Sequence, residues 1–131
     1  MLPAAKGVPK ELLPVLDRPA IQYIVEEAAD AGVSDVLLVT ARDKRAIEDH
    51  FDVNSELEQR LRETGKESLL ESLLQLTKRV KIHSVRQPRQ LGLGDAVRQA
   101  REHVGQSSFL CQLGDALFSG APSPSRQLVE A

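Results

Sequence analysis

The hydrophobic positions of the chain alternate between helical and strand-like spacing. The first helical stretch begins at Ala20 and is followed by Gly32, a residue typical of helix ends. Its apolar residues recur three or four positions apart, at Ile21, Ile24, Val25, Ala28 and Ala29. A continuous apolar run at 36–40 comes next and predicts a strand buried on both faces of a parallel sheet. A helix followed by such a strand indicates βαβ architecture.

The middle of the chain predicts three more helices and a strand. Residues 46–51 have one apolar helical face, and Ser55 with Glu58 matches the capping box that opens a helix, which Gly65 would end. The leucine-rich stretch 67–76 predicts a helix that covers the sheet or a partner surface. A strand follows at 80–85.

The last third predicts a loop at 86–94, a helix carrying Ala96 and His103, and a short strand at 109–113. Ser123-Pro124 is a cap followed by a first-turn proline, which predicts a final helix. The prolines of residues 1–19 instead predict a loop with extended backbone and turns. Three strands between helices indicate an α/β fold with a mostly parallel, doubly wound sheet, whose ligands bind at the carboxyl ends of the strands.

Composition narrows the function without identifying it. A length of 131 residues favours one domain over 1–131, and 41% hydrophobic with 27% charged residues is ordinary for a globular protein. The net charge of −2 argues against nucleic acid and anionic lipid as partners, and no apolar run is long enough to span a membrane. The single cysteine, Cys111, cannot form an internal disulfide, so the cytoplasm is the expected compartment.

Two features lie at the predicted carboxyl ends of strands. Gln87 to Gly94 is a glycine-containing loop that allows close approach of backbone to a ligand, although a plain strand-to-helix turn explains the glycines equally well. Asp115 directly follows the strand at 109–113, where a carboxylate suits Mg²⁺ beside a phosphate. A turn or helix-capping role is the alternative for Asp115.

The remaining candidates are weaker. Lys10 lies between prolines that could hold its charge against a phosphate, although most surface lysines are only solvated. His50 falls on an apolar helix face and is expected to pack there and not to bind a metal, because no second ligand has suitable helical spacing. His83 and His103 show no special pattern. Cys111 lies within the predicted strand and is expected to be buried and inert.

Several ordered motifs give the chain a family resemblance. They are PKELLPV at 9–15, DRP at 17–19, IQY at 21–23, KRAIEDHFD at 44–52, RQ at 86–87, LGLGDAV at 91–97 and LGD at 113–115. In this order they resemble the bacterial UTP:glucose-1-phosphate uridylyltransferases, or UDP-glucose pyrophosphorylases, of the nucleotidyltransferases. Related thymidylyltransferases share the lysine and aspartate motifs, but the run at 44–52 and the helical insertion at 55–76 are similar to the uridylyltransferase branch.

The resemblance implies a Rossmann-like, three-layer nucleotide-diphospho-sugar transferase fold and reversible transfer of UMP from UTP to glucose 1-phosphate, with pyrophosphate released. No covalent intermediate is expected, because the enzyme positions the reactants and neutralises phosphate charge. By motif position, Lys10 matches a phosphate-facing lysine, Gln87 and Gly92 match uracil and ribose contacts, and Asp115 matches the Mg²⁺ ligand. Oligomeric state stays open, a homo-oligomer included.

The resemblance also implies missing parts. The family's glycine-rich loop and first strand would precede Met1, and the sugar-binding half would follow Ala131, so we expect an incomplete sheet and an incomplete active site. With strand order 3-2-1-4, the loss predicts either a gap or altered pairing between the strands at 36–40 and 109–113, and reduced stability.

Three hypotheses follow from this expectation. In the first, the chain is a fragment of the enzyme and is inactive alone. In the second, it is a short protein that binds nucleotide as a regulatory or partner module. In the third, it is a structural subunit that contacts a longer relative through the helix from Glu67. A related sugar-phosphate nucleotidyltransferase, such as a thymidylyltransferase, is the alternative activity.

Overall fold

The computed structural model of the chain describes residues 14–15, 18–41, 45–52, 55–114 and 123–131. The strands are β1 Pro14–Val15, β2 Arg18–Pro19, β3 Asp35–Thr40 and β4 Lys81–Arg86. The helices are α1 Ala20–Asp30, α2 Arg45–Phe51, α3 Ser55–Glu63, α4 Glu67–Arg79, α5 Leu93–Arg98, α6 Arg101–Val104 and α7 Pro124–Glu130.

The main sheet consists of β3 and β4, which are parallel as the sequence predicts. Their register runs from Asp35 opposite Lys81 to Thr40 opposite Arg86. Helices α2, α3 and α4 make the crossover between them, so this unit is βαβ in character. The segment predicted as an extended loop also contains a small antiparallel ladder, because β1 pairs with β2.

Helix α1 ends as its sequence predicts. Gly32 has φ of 97°, in the left-handed region that glycine adopts without strain. Its N–H donates to the carbonyl of Ala29 at 3.0 Å, and the N–H of Val33 donates to that of Ala28 at 3.1 Å. This pair of bonds is a Schellman motif, which satisfies carbonyls that the helix end would otherwise leave without partners.

The hydrophobic core lies between one face of β3 and helices α1 to α4. Leu70, Leu73 and Leu76 of α4 are 2%, 0% and 2% exposed. They pack in one cluster with Leu38 of β3 and Phe51 of α2. The leucine-rich helix therefore covers the sheet, and its buried leucines are not available as a surface for a partner subunit.

Helices cover both faces of β3. Leu38 packs toward α1 in the core. Side chains alternate along a strand, so Asp35 lies on the opposite face. There His103 of α6 hydrogen-bonds Asp35, with 2.8 Å between Nε2 and Oδ1. The arrangement is helix, sheet, helix, which is the three-layer order that the family resemblance implies.

The prediction of a strand at 109–113 is wrong in this structure. That segment has no regular secondary structure, and a cavity of about 640 Å³ separates it from β3. The cavity walls come from α1, the whole of β3, α5, α6 and residues 107–114, so the cavity lies on the side of β3 away from β4. Among the described residues, β4 is the strand that pairs with β3, and the cavity lies along the other edge of β3.

Polar contacts hold the irregular segment against α1. The Gln112 amide donates to Glu27 at 3.0 Å and to Ser125 at 2.8 Å, and the Ser125 hydroxyl donates to Glu27 at 2.6 Å. These bonds also fix α7, whose cap is the predicted one, since the Ser123 side chain accepts from the N–H of Arg126. Cys111 is exposed, contrary to the expectation of burial, because no strand forms around it.

Candidate functional site

The glycine-containing loop begins at the carboxyl ends of both main strands. The backbone N–H of Gln87 donates to the carbonyl of Thr40 at 2.7 Å, which continues the ladder by one residue beyond β4. Thr40 is 4% exposed, and its hydroxyl donates to the Glu48 carboxylate of α2 at 2.5 Å. The start of the loop is therefore fixed to the edge of the sheet where ligands bind in open α/β folds.

The structure brings the two predicted nucleotide contacts together. Gln87 Nε2 lies 3.4 Å from the carbonyl oxygen of Gly92 and donates to the Asp95 carboxylate at 2.8 Å. Gly92 is the residue before α5, and its carbonyl accepts from the N–H of Ala96 at 3.1 Å. The Gln87 side chain thus closes the loop onto the beginning of α5.

Asp95 is the residue that sequence reasoning left without a role. The hydrogen bond from Gln87 lowers the pKa of this carboxyl group, and the Arg98 guanidinium, which donates at 2.6 Å, lowers it further. The available signal was an acidic residue in the first turn of a predicted helix, where negative charge is favourable. An ionised Asp95 keeps the Gln87 amide in one orientation.

Two predicted site residues, Lys10 and Asp115, lie outside the described residues. Gly114, which directly precedes Asp115, forms part of the cavity wall that also includes β3. The roles of Lys10 and Asp115 therefore stay predictions.

Gly92 has a backbone conformation that only glycine adopts readily, with φ 95° and ψ 179°. A Cβ at Gly92 or at Gly94 would meet no atom within 4 Å, so steric crowding does not distinguish the two positions. We expect Gly92→Ala to destabilise the chain by about 1–3 kcal/mol through backbone strain. Gly94→Ala, inside α5, is the matched control and is expected to be neutral or stabilising by about 0.5–1 kcal/mol. Urea unfolding measures both, and equal effects would contradict the assignment of strain to Gly92.

His50 is a packing residue, as the sequence predicts. Its Nε2 lies 2.9 Å from Gln22 Oε1, and its ring makes an edge-to-face contact with Phe51. Burial lowers the pKa of His50 to about 4, so the imidazole is neutral at physiological pH.

His83 and His103, which show no pattern in sequence, lie next to each other in space. Their ring centroids are 4.9 Å apart, and both Nε2 atoms approach Oδ1 of Asp35, at 3.9 Å from His83 and 2.8 Å from His103. The three residues belong to β3, β4 and α6, so no local spacing could reveal them. This cluster lies at the amino end of β3, away from the Gln87 loop.

Comparison with known proteins identifies the family. A sequence model of the nucleotidyl transferase family matches residues 1–130. The chain belongs to the nucleotidyl transferase family. Among curated relatives, a UTP–glucose-1-phosphate uridylyltransferase of Staphylococcus saprophyticus is 51% identical to this nucleotidyl transferase over 130 residues, which are 99% of this chain and 45% of that protein.

Solved structures agree with this family assignment. A UDP-glucose pyrophosphorylase complexed with UDP-glucose matches with a TM-score of 0.80 and 36% identity over 99% of this chain and 47% of its own. A UTP-bound UDP-glucose pyrophosphorylase from Acinetobacter baumannii matches with a TM-score of 0.71 and 48% identity over 82% of this chain and 38% of its own. The nucleotidyl transferase chain thus spans less than half the length of each of these proteins. Within its described residues, no helix has the length and apolarity to cross a bilayer.

Proposed function

We propose that this nucleotidyl transferase chain forms the nucleotide-binding part of a UTP:glucose-1-phosphate uridylyltransferase. The observation that carries the proposal is 51% identity, over 99% of the chain, to a protein of that name. The proposed reaction transfers UMP from UTP to glucose 1-phosphate and gives UDP-glucose and pyrophosphate. The geometry of the Gln87 loop supports it, because the loop starts at the carboxyl ends of two parallel strands.

Gln87 is the proposed uracil contact. Its Nε2 donates to Asp95, which leaves the opposite side of the amide, Oε1, to accept a hydrogen bond from uracil N3–H. The low pKa of Asp95 keeps that carboxylate ionised and therefore an acceptor, so the amide does not flip. Gly92, whose strained backbone conformation requires glycine, is the proposed ribose contact.

The proposed phosphate contacts are Lys10 and a magnesium ion. Mg²⁺ prefers one or two carboxylates together with phosphate oxygens and water. Asp95 does not fit that role, because Gln87 and Arg98 already occupy its two oxygens. Asp115, which follows the cavity-lining Gly114, is the proposed ligand, and the ion would neutralise charge on the phosphates.

In this proposal the protein binds and orients the reactants, while the sugar phosphate oxygen attacks the α-phosphorus of UTP in line and pyrophosphate leaves. Lys10 contributes a fixed positive charge toward the phosphates. We also propose a cytoplasmic location, since the single cysteine provides no internal disulfide and its thiol is exposed.

Calorimetric titration of the chain with UTP in the presence of Mg²⁺ tests the proposal. We expect saturable binding that weakens on chelation of Mg²⁺, and a preference for UTP over ATP and dTTP.

Gln87→Ala and Asp115→Asn should each weaken UTP binding by about tenfold or more, since each removes a hydrogen bond or a charged contact to the ligand. Gln90→Ala, an exposed glutamine of the same loop, is the matched control and should bind normally. Absence of UTP binding by the folded chain would overturn the proposal, and a dTTP preference would assign the thymidylyltransferase alternative instead.

A further inference from the structure

The cluster of Asp35, His83 and His103 has the composition of a transition-metal site. One possible ligand atom from each residue lies within 4.8 Å of the others. Two imidazole nitrogens and one carboxylate oxygen form a common three-ligand set for zinc, which takes a water as its fourth ligand. We propose that these three side chains bind a Zn²⁺-class ion.

The fold places the three ligands on one face of the sheet. Asp35 lies opposite Lys81, and Leu37 lies opposite His83, so Asp35 and His83 project from the same face by strand alternation. His103 reaches them from α6, which covers that face. An ion bound here would join β3, β4 and α6, which the sequence separates widely.

The distances need only small adjustment to accommodate an ion. Ligands that lie ~2.0–2.1 Å from a tetrahedral zinc ion are ~3.3 Å apart. The Asp35 oxygen lies 2.8 Å from His103 Nε2 and 3.9 Å from His83 Nε2. Each of these two distances therefore differs from the expected separation by only about 0.5–0.6 Å. Small rotations of the side chains cover that difference. The ion would then take the place of the contact between Asp35 and His103.

Exposure of the cluster favours entry of an ion from solvent. The side chains of Asp35, His83 and His103 are 51%, 49% and 32% exposed, so ions reach them and water can complete the coordination. Imidazole ligands select zinc and related transition metals, whereas Mg²⁺ prefers oxygen ligands only. The site is therefore different in chemistry from the magnesium site proposed beside the nucleotide.

Its location is different as well. Asp35 begins β3 and Thr40 ends it, and five strand steps separate them by about 16 Å. The Gln87 loop lies at the Thr40 end. Zinc binding to the histidine cluster therefore does not depend on the proposed nucleotide function and can fail or succeed independently of it.

Calorimetric titration of the tag-free chain with Zn²⁺ tests the proposal. We expect one saturable site that excess Mg²⁺ does not compete for, and a melting temperature that rises by roughly 5 °C at saturation, because the ion binds the folded state. The measurement uses a Cys111→Ser background, since the exposed thiol of Cys111 is itself a potential zinc ligand. Loss of the site in that background would overturn the proposal.

Single substitutions assign the ligands. Asp35→Asn, His83→Gln and His103→Gln should each weaken Zn²⁺ binding by about tenfold or more. Because these side chains are partly exposed, we expect each variant to keep the circular dichroism spectrum of the wild type. His50→Gln is the matched histidine control and should retain the site. Visible absorption of bound Co²⁺ gives a second readout, and its intensity should fall with each ligand variant. Unchanged Zn²⁺ affinity in His103→Gln, or no saturable binding at all, would overturn the proposal.

Discussion

Leu73→Ala is expected to lower the free energy of unfolding by about 3–4 kcal/mol. Leu73 is 0% exposed and packs at the centre of the cluster formed by α1 to α4 and β3. Truncation removes buried apolar surface and leaves a cavity that neighbouring side chains fill only partly. Ordinary domains have ~5–15 kcal/mol of stability in total, so this loss is a substantial fraction of that stability.

Urea unfolding followed by circular dichroism measures the effect of Leu73→Ala. Gln75→Ala is the matched control, because Gln75 is an exposed residue of the same helix, and it should change stability by no more than about 0.5 kcal/mol. A loss below about 1 kcal/mol for Leu73→Ala would show that α4 does not pack in the core as described.

The same measurement tests the effect of the gap beside β3. The edge of β3 away from β4 faces the cavity, and within the part of the chain that the structure describes no strand pairs with the backbone groups along that edge. We therefore expect the chain to unfold at lower urea concentration than a relative of about twice its length, such as the 51% identical one. A transition as cooperative and at as high a urea concentration as that of the longer relative would contradict this expectation.

Acidification from pH 7 to pH 4 is expected to destabilise the chain by about 3 kcal/mol through His50 alone. Burial lowers the pKa of His50 from 6.5 to about 4 in the folded protein, whereas the unfolded chain keeps the ordinary value. Between these two pKa values the unfolded state binds more protons than the folded state, so stability increases with pH across this window. The contribution is complete above pH 6.5 and is lost as the pH falls toward 4.

The residues around His50 explain why protonation is unfavourable. Its neighbour Gln22 is 0% exposed and uses its Nε2 to donate to Ser72 at 2.8 Å and to Glu26 at 3.2 Å, so Oε1 is the atom that faces the imidazole. A charged imidazole here gains little beyond the hydrogen bond that the neutral ring already makes, and it loses its hydration.

The His50 contribution is isolated by comparing wild type with His50→Gln. The glutamine amide stays neutral and can still donate to Gln22. We expect the two proteins to differ in the pH dependence of stability between pH 6.5 and 4, with the variant falling less steeply. Parallel stability curves for the two proteins would contradict the buried, neutral state of His50. The two proteins differ at position 50 alone, so contributions from all other groups cancel in the comparison.

The local sequence predicts the helices, strands and caps that are specified by residues close together along the chain. The helix α1 and its end at Gly32, the parallel strands β3 and β4, the leucine face of α4 and the Ser123 cap of α7 agree with the sequence prediction. Hydrophobic periodicity and capping act over a few residues, so they can be read without knowledge of the fold. The helix predicted after the Gln87 loop is divided into α5 and α6, a detail that periodicity did not resolve.

Only the tertiary structure decided the features that depend on distant partners. Residues 109–113 have the composition of a strand, but a strand requires backbone partners along its edge, and a cavity lies where one would be. Exposure of Cys111, the Gln87–Asp95 hydrogen bond and the meeting of Asp35, His83 and His103 follow in the same way from the packing of separate elements. The sequence of this chain alone therefore specified its helices, its parallel strands and its family resemblance, whereas contacts between residues far apart in sequence required the assembled fold.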